Sequence, residues 1–177
     1  MGSDFIDIYE EHVWQVYGYL AYRVRAQADA EDLTQLTFER AFKAWDRFDE
    51  RKASAGTWLI AIARNALIDH GRSDKSSRHR SISGDEVAES DLPIVEGPDA
   101  FGVDPDLASA IEQLDDRERH LLALRFGAGF TGPEIAEIAD LSLANVQQIL
   151  SRSLRKLRVQ LEARSQSWRE HGKTLGS

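Results

Sequence analysis

Between Ser81 and Pro105 the chain reads SISGDEVAESDLPIVEGPDAFGVDP, and the helical spacing of apolar residues found on either side of it disappears. Gly, Pro, Ser and acid dominate here as in no other stretch away from the termini, so the expectation is a flexible linker rather than part of a core. A chain of 177 residues can hold one ordinary domain or two small helical ones. The break selects two. The expected organisation is a helical domain over 1–80, an acidic linker over 81–105, a second helical domain over 106–163 and a polar tail over 164–177. The expected fold class is all-α, with a three- to four-helix N-terminal bundle and a four-helix C-terminal domain.

In the N-terminal half, Phe5, Ile8, Tyr9, Val13, Val16, Tyr17, Leu20 and Val24 recur at helical spacing and predict an amphipathic helix from about Asp4 to Arg25. Asp29 is the expected cap of a second helix running to about Phe48 and burying Leu33, Phe38, Ala41, Phe42 and Trp45. Its opposite side carries the polar stripe Asp32, Gln35, Glu39, Lys43 and Asp46, which on spacing alone is a solvated face. A third helix follows Gly56 or Thr57. Its first turns, from Trp58 to Ile68, are apolar on nearly all sides, after which Arg72, Lys75, Arg78 and Arg80 make a basic arm. Trp45, Phe48 and Trp58 gather around the connection between the second and third helices. Packing explains the first two, whereas Trp58, at a helix start, is also placed to lie against an unstacked base.

In the C-terminal half, Leu107, Ile111 and Leu114 restart the helical pattern, and Asp115 is positioned to cap a helix from Asp116 to Arg125. Then TGPEIAEIADLSLANVQQILSRSLRKLRVQL, Thr131 to Leu161, has the form of a helix-turn-helix. Pro133 suits a first helical turn, Asp140-Leu141-Ser142 is the polar break, and Ser142 caps the second helix. Val146, Leu150, Leu154, Leu157 and Leu161 form its expected packing face. Its opposite face is open to meet a partner, which in this motif is usually the DNA major groove. Asn145, Gln147 and Gln148 lie early on that helix, and Arg152, Arg155, Lys156 and Arg158 lie late. A helix dipole alone accounts for one or two of those four cations, and the cluster is also placed where it could reach phosphates.

The net charge of −8 bears on this only through its distribution. Residues 1–78 hold 11 Lys/Arg and 13 Asp/Glu, residues 79–106 hold 1 and 8, and residues 107–177 hold 10 and 9. The acid is concentrated in the linker, whose partner, if it has one, should be basic. With no cysteine, disulfides and thiolate metal sites are excluded and a reducing cytoplasm is the simplest compartment. No signal-peptide pattern or membrane-spanning run occurs. The five histidines, His12, His70, His79, His120 and His171, are scattered without metal spacing. There is no nucleophile motif or phosphate-binding Gly loop, so no catalytic residue, metal or cofactor is expected.

Two separated signatures carry a resemblance. Asp29-Ala30-Glu31-Asp32-Leu33-Thr34-Gln35-Leu36-Thr37-Phe38, with Thr57-Trp58-Leu59, Ala63-Arg64-Asn65 and Asp69 after it, resembles the N-terminal domain of bacterial sigma factors of the extracytoplasmic-function type. Leu114-Asp115-Asp116-Arg117-Glu118-Arg119, with the helix-turn-helix behind it, resembles their C-terminal domain. The resemblance runs from about Phe5 to Leu161, the linker matching in position and character. It implies a dissociable promoter-specificity subunit of RNA polymerase. Asp29, Asp32, Gln35, Phe38 and Glu39 would meet the coiled coil of the largest polymerase subunit. Trp58, Arg64, Asn65, Asp69, Arg72 and Lys75 would face the −10 element and its melted bases. Thr131, Ser142, Asn145, Gln147, Gln148, Ser151, Arg152, Arg155 and Lys156 would dock at the −35 element. The implied partners are core RNA polymerase, promoter DNA and an anti-sigma factor, without membrane insertion.

The sequence departs from the family pattern at Leu36, where Glu is common, at Asp140, where Gly is common, and at Gln147 and Ile149, where Lys and Arg are common. Leu36, Gln147 and Ile149 keep open a second reading, a sigma-like interaction protein that sequesters an anti-sigma factor without starting transcription. A plain helix-turn-helix repressor fits less well, because no dimerisation helix is evident.

Overall fold

A computed structural model describes residues 4–80 and 105–174, which form helices and turns. The chain divides into two compact units, Met1–Gly97 and Pro98–Ser177. The acidic stretch 81–104 lies outside the described residues, whereas Pro105, expected to close the linker, already opens a helix. No helix among the described residues is long and apolar enough to cross a membrane.

The first unit is three helices in mutual contact, α1 (Phe5–Ala21), α2 (Gln27–Ala44) and α3 (Ala55–Arg80). Its core is built from Val16, Tyr19 and Leu20 of α1, Ala30, Leu33, Phe38 and Ala41 of α2, and Leu59, Ile60, Ala63 and Ala66 of α3. These positions recur at threes and fours, so each helix buries one broad stripe and the stripes close on one another. Several boundaries differ from expectation. α1 stops at Ala21, and the chain turns through Tyr22 to Arg25. α2 then begins at Gln27 behind Ala26, so Asp29 is not its cap but an acid in its first turn, where it complements the helix dipole. α2 ends at Ala44 and tightens into a 3₁₀ turn, Trp45–Arg47.

Behind that turn, Trp45 and Phe48 stack at 5.3 Å and Phe48 lies 4.6 Å from Trp58, ring centre to ring centre. Ser54 Oγ accepts from Thr57 N at 3.2 Å and so caps α3 ahead of the expected residues. Gly56 is where α1 and α3 approach closely: a Cβ there would sit 2.8 Å from Gln15 Oε1.

The second unit comprises α4 (Pro105–Glu112), α5 (Asp116–Leu122), α6 (Gly132–Ala139) and α7 (Leu143–Thr174). Asp115 caps α5 as expected, its Oδ1 accepting from Glu118 N at 2.8 Å while Asp115 N donates to Glu118 Oε2 at 3.2 Å. α5 does not reach Arg125 as an α-helix, because its last turn widens into a π turn over Ala123–Gly127. Gly129, at φ +75°, makes the bend into α6.

The largest correction concerns α7, which is one helix of 32 residues, so the segment expected to be a tail from 164 continues it. Arg164 joins its far half to α4, with Nη1 on Asp106 Oδ1 at 3.1 Å and Nη2 on Ser109 Oγ at 2.6 Å. Within α7, Ser153 rather than Leu154 belongs to the core. Ser153 is fully buried and donates to Ile149 O at 2.8 Å, whereas Leu154 is 46% exposed.

Candidate functional site

On α2 the polar stripe is open to solvent. Asp32, Gln35 and Glu39 are exposed, and Gln35 Nε2 donates to Glu39 Oε1 at 2.9 Å, one turn apart. Asp29 is half-buried beside His70 of α3, its Oδ2 3.8 Å from Nε2. Phe38 belongs to the core, its ring 4.8 Å from Tyr9, so it backs the stripe instead of forming part of it.

Phe42 was expected in the core and is instead 65% exposed, with the Phe5 ring 5.2 Å behind it. At about 100° per residue, Phe42 lies about 20° from Gln35 and about 60° from Glu39, between Gln35 and Phe38 in angle, which puts an aromatic at the edge of the acid-and-amide stripe. Counting spacing from Phe38, about 40° away, draws it into the core. Spacing from Gln35 would have revealed its true side.

On α3, Trp58 is half-buried against Phe48, leaving part of the ring outward, and Arg64, Asn65, Ile68, Asp69 and Arg72 are exposed along successive turns. Asp69 Oδ2 accepts from Arg40 Nη1 at 2.9 Å, so its carboxylate already has a cation across the α2–α3 contact. Lys75 follows on the same helix, beyond the residues whose side chains are described. Ile68, 43% exposed, gives this stripe an apolar member that apolar periodicity had assigned to packing.

In the second unit the two helices of the motif are locked locally at each end. Thr131 donates to Glu134 Oε2 from its N at 2.7 Å and from its Oγ1 at 2.6 Å, forming a capping box at α6. These hydrogen bonds, the side-chain one first, hold the Glu134 carboxyl below the ordinary glutamate range. α6 ends at Asp140 in the left-handed region, φ 53° and ψ 54°, a conformation Asp tolerates better than most side chains. Ser142 Oγ accepts from Asn145 N at 3.2 Å and caps α7. Buried Ile135 and Val146 pack the helices together.

This arrangement leaves Thr131, Ser142, Asn145, Gln147, Gln148, Ser151, Arg152 and Arg155 exposed, with the amides on the first turns of α7 and the arginines behind them. The chemistry of such a face is suited to hydrogen-bonding base edges through its amides and phosphates through its guanidinium groups. Lys156 differs from its neighbours: its Nζ lies 2.6 Å from Oε1 of Glu118 on α5. Among the described residues no group of three or more His, Cys, Asp or Glu is placed to hold a metal ion.

Comparison with known proteins places these surfaces in sequence families. Residues 8–77 match the family described as Sigma-70 region 2, and residues 110–159 match Sigma-70, region 4. The ECF RNA polymerase sigma factor SigW of Bacillus subtilis is 32% identical over 170 residues, covering 90% of this chain and 88% of that protein. The ECF RNA polymerase sigma factor BldN of Streptomyces coelicolor is 30% identical over 155 residues, covering 85% of this chain but only 57% of BldN. Among solved structures, the sigma factor RpoE in complex with the anti-sigma factor NepR from Bartonella quintana shares the fold. Its TM-score is 0.68 at 20% identity, over 90% of this chain and 97% of that one.

Proposed function

The chain belongs to the ECF RNA polymerase sigma factors of the sigma-70 family, and from that premise we propose how its exposed surfaces divide the work. It binds core RNA polymerase through the α2 stripe of Asp32, Gln35 and Glu39, with Phe42 as the apolar anchor and Asp29 at the edge. Phe38 acts from behind, by fixing the register of α2 on α1. Trp58, Arg64, Asn65, Asp69, Arg72 and Lys75 of α3 face the −10 element. There, half-exposed aromatic and amide groups suit bases that leave the duplex stack. Thr131, Ser142, Asn145, Gln147, Gln148, Ser151, Arg152 and Arg155 meet the −35 element, and the protein works in the cytoplasm with the polymerase.

The observation that carries this reading is the pairing, in chain order, of an acid–amide–aromatic face with an amide–arginine face, each within the segment matching its sigma region. An anti-sigma factor is a further proposed partner, in keeping with the shared fold of RpoE in its complex with NepR.

Binding to purified core polymerase tests the division of labour. Asp32→Arg reverses a charge within the stripe and Phe42→Ala removes its anchor. Each should weaken core binding by about 1–3 kcal/mol, the range of interface anchors, and leave binding of the chain to promoter duplex within about twofold. Equal loss of both activities in either variant contradicts the assigned surface.

A further inference from the structure

Lys156 lies among the four late cations of α7, yet its ammonium is held within the second unit. Its Nζ donates to Glu118 Oε1 at 2.6 Å, bridging 38 positions of sequence. The acceptor carboxylate belongs to a buried residue, with only 6% of its side chain exposed. The other oxygen of that carboxylate, Oε2, accepts from Asp115 N at 3.2 Å and closes the capping box of α5. A buried carboxylate cannot give up its counter-cation cheaply: drawing Lys156 away to a phosphate would leave the charge of Glu118 desolvated and uncompensated. Arg152 and Arg155 are exposed and carry no such commitment among the ion pairs described.

Helical geometry points the same way. At about 100° per residue, Lys156 is about 60° from buried Ser153 and about 100° from Arg155, on the border of the packing face rather than at the crest of the outward one. From that border it fastens the fourth turn of α7 to the first turn of α5. The contact limits both the rotation and the axial slide of α7, and therefore the direction in which Gln148, Ser151, Arg152 and Arg155 project.

We propose that Lys156 is a positioning residue that aims the DNA-facing side of α7 through Glu118, and that it makes no phosphate contact of its own. This rests on α7 meeting DNA, as proposed above. A phosphate ligand and a positioning residue differ in salt dependence, because each neutralised phosphate contributes about 0.9 to the slope of log K against log salt, whereas an internal ion pair contributes nothing.

The experiment measures promoter association of full-length protein bound to core polymerase over a range of salt concentrations. The temperature is held well below the melting transition, where loss of stability alone does not change affinity. Arg152→Ala and Arg155→Ala should each flatten the slope by about 0.9. Lys156→Met should cost about tenfold in affinity at unchanged slope. The double variant Glu118→Leu with Lys156→Met, which replaces the ion pair by apolar side chains, should recover most of that loss. The double variant also carries the test if Lys156→Met alone fails to fold, since it should then bind with the wild-type slope. A flattened slope for Lys156→Met that the double variant does not rescue overturns the proposal, as does unchanged affinity. If both arginine variants bind as wild type, α7 does not meet DNA and both readings fall together.

Discussion

Glu134 and Thr131 show what a single cap contributes at the entrance to the helix-turn-helix. The carboxylate of Glu134 accepts from the Thr131 hydroxyl at 2.6 Å and from its backbone N–H at 2.7 Å, and its pKa lies below the usual glutamate value for that reason. A depressed carboxyl pKa stabilises the folded state at all pH above the unfolded value. That contribution is lost as pH falls through the folded value. Thr131→Val removes the hydroxyl and should bring the Glu134 titration back toward ordinary glutamate. It should also destabilise the second unit by about 0.5–2 kcal/mol, as loss of an N-cap does. A side-chain NMR titration of Glu134 checks the first effect, and an unmoved midpoint in the variant would show that the hydroxyl is not the cause. Phe42 is the residue-scale finding with most bearing on the proposed function, because its exposure offers the proposed polymerase-binding stripe an apolar anchor.

Among the elements, α3 carries two jobs on one helix. Its first half is core, through Leu59, Ile60, Ala63 and Ala66, and from Arg64 onward its outer side is cationic and polar. Gly71 stands in its exposed stretch, and a Cβ there would meet nothing within 4 Å. Gly71→Ala should therefore stabilise the local helix by about 0.5–1 kcal/mol, read as slower amide exchange from His70 to Arg72; faster exchange would mean that this glycine serves a geometry the helix does not show.

Most elements were legible in the sequence because apolar residues at threes and fours report a buried stripe directly. The caps at Asp115 and Ser142 were legible too, since capping is local chemistry. The Leu154 and Ser153 exchange was not, because neighbouring positions near the edge of a stripe are separated by packing against α4 and α5 and not by period. The length of α7 was missed for a related reason: a polar sequence is compatible with a tail, and the contacts of Arg164 with Asp106 and Ser109, 58 and 55 positions away, are invisible to spacing. The Lys156–Glu118 pair is likewise invisible to spacing, which sees a basic run but not the buried acid facing one of its members.

At the scale of the whole molecule, the proposed function depends on two modest surfaces working through a shared carrier. The proposed DNA-facing side of α7 offers neutral amides on its first turns, and one of its late cations, Lys156, is paired with Glu118, which gives little long-range attraction by itself. With the first unit held on polymerase, the second binds at an effective concentration set by the intervening chain, so weak recognition at −35 becomes useful. The acidic charge of residues 79–106, 8 Asp/Glu against 1 Lys/Arg, disfavours wrapping that stretch on DNA and suits a basic surface on the proposed partner.

The measurement that tests the account most directly is run-off transcription with purified bacterial core polymerase on fragments of the source genome. Added protein should yield discrete, promoter-specific transcripts that core alone does not make, with permanganate-reactive thymines marking an opened −10 region on the same fragments. Binding to core without transcripts or strand opening from any fragment would contradict the account and favour a protein that only occupies an anti-sigma partner.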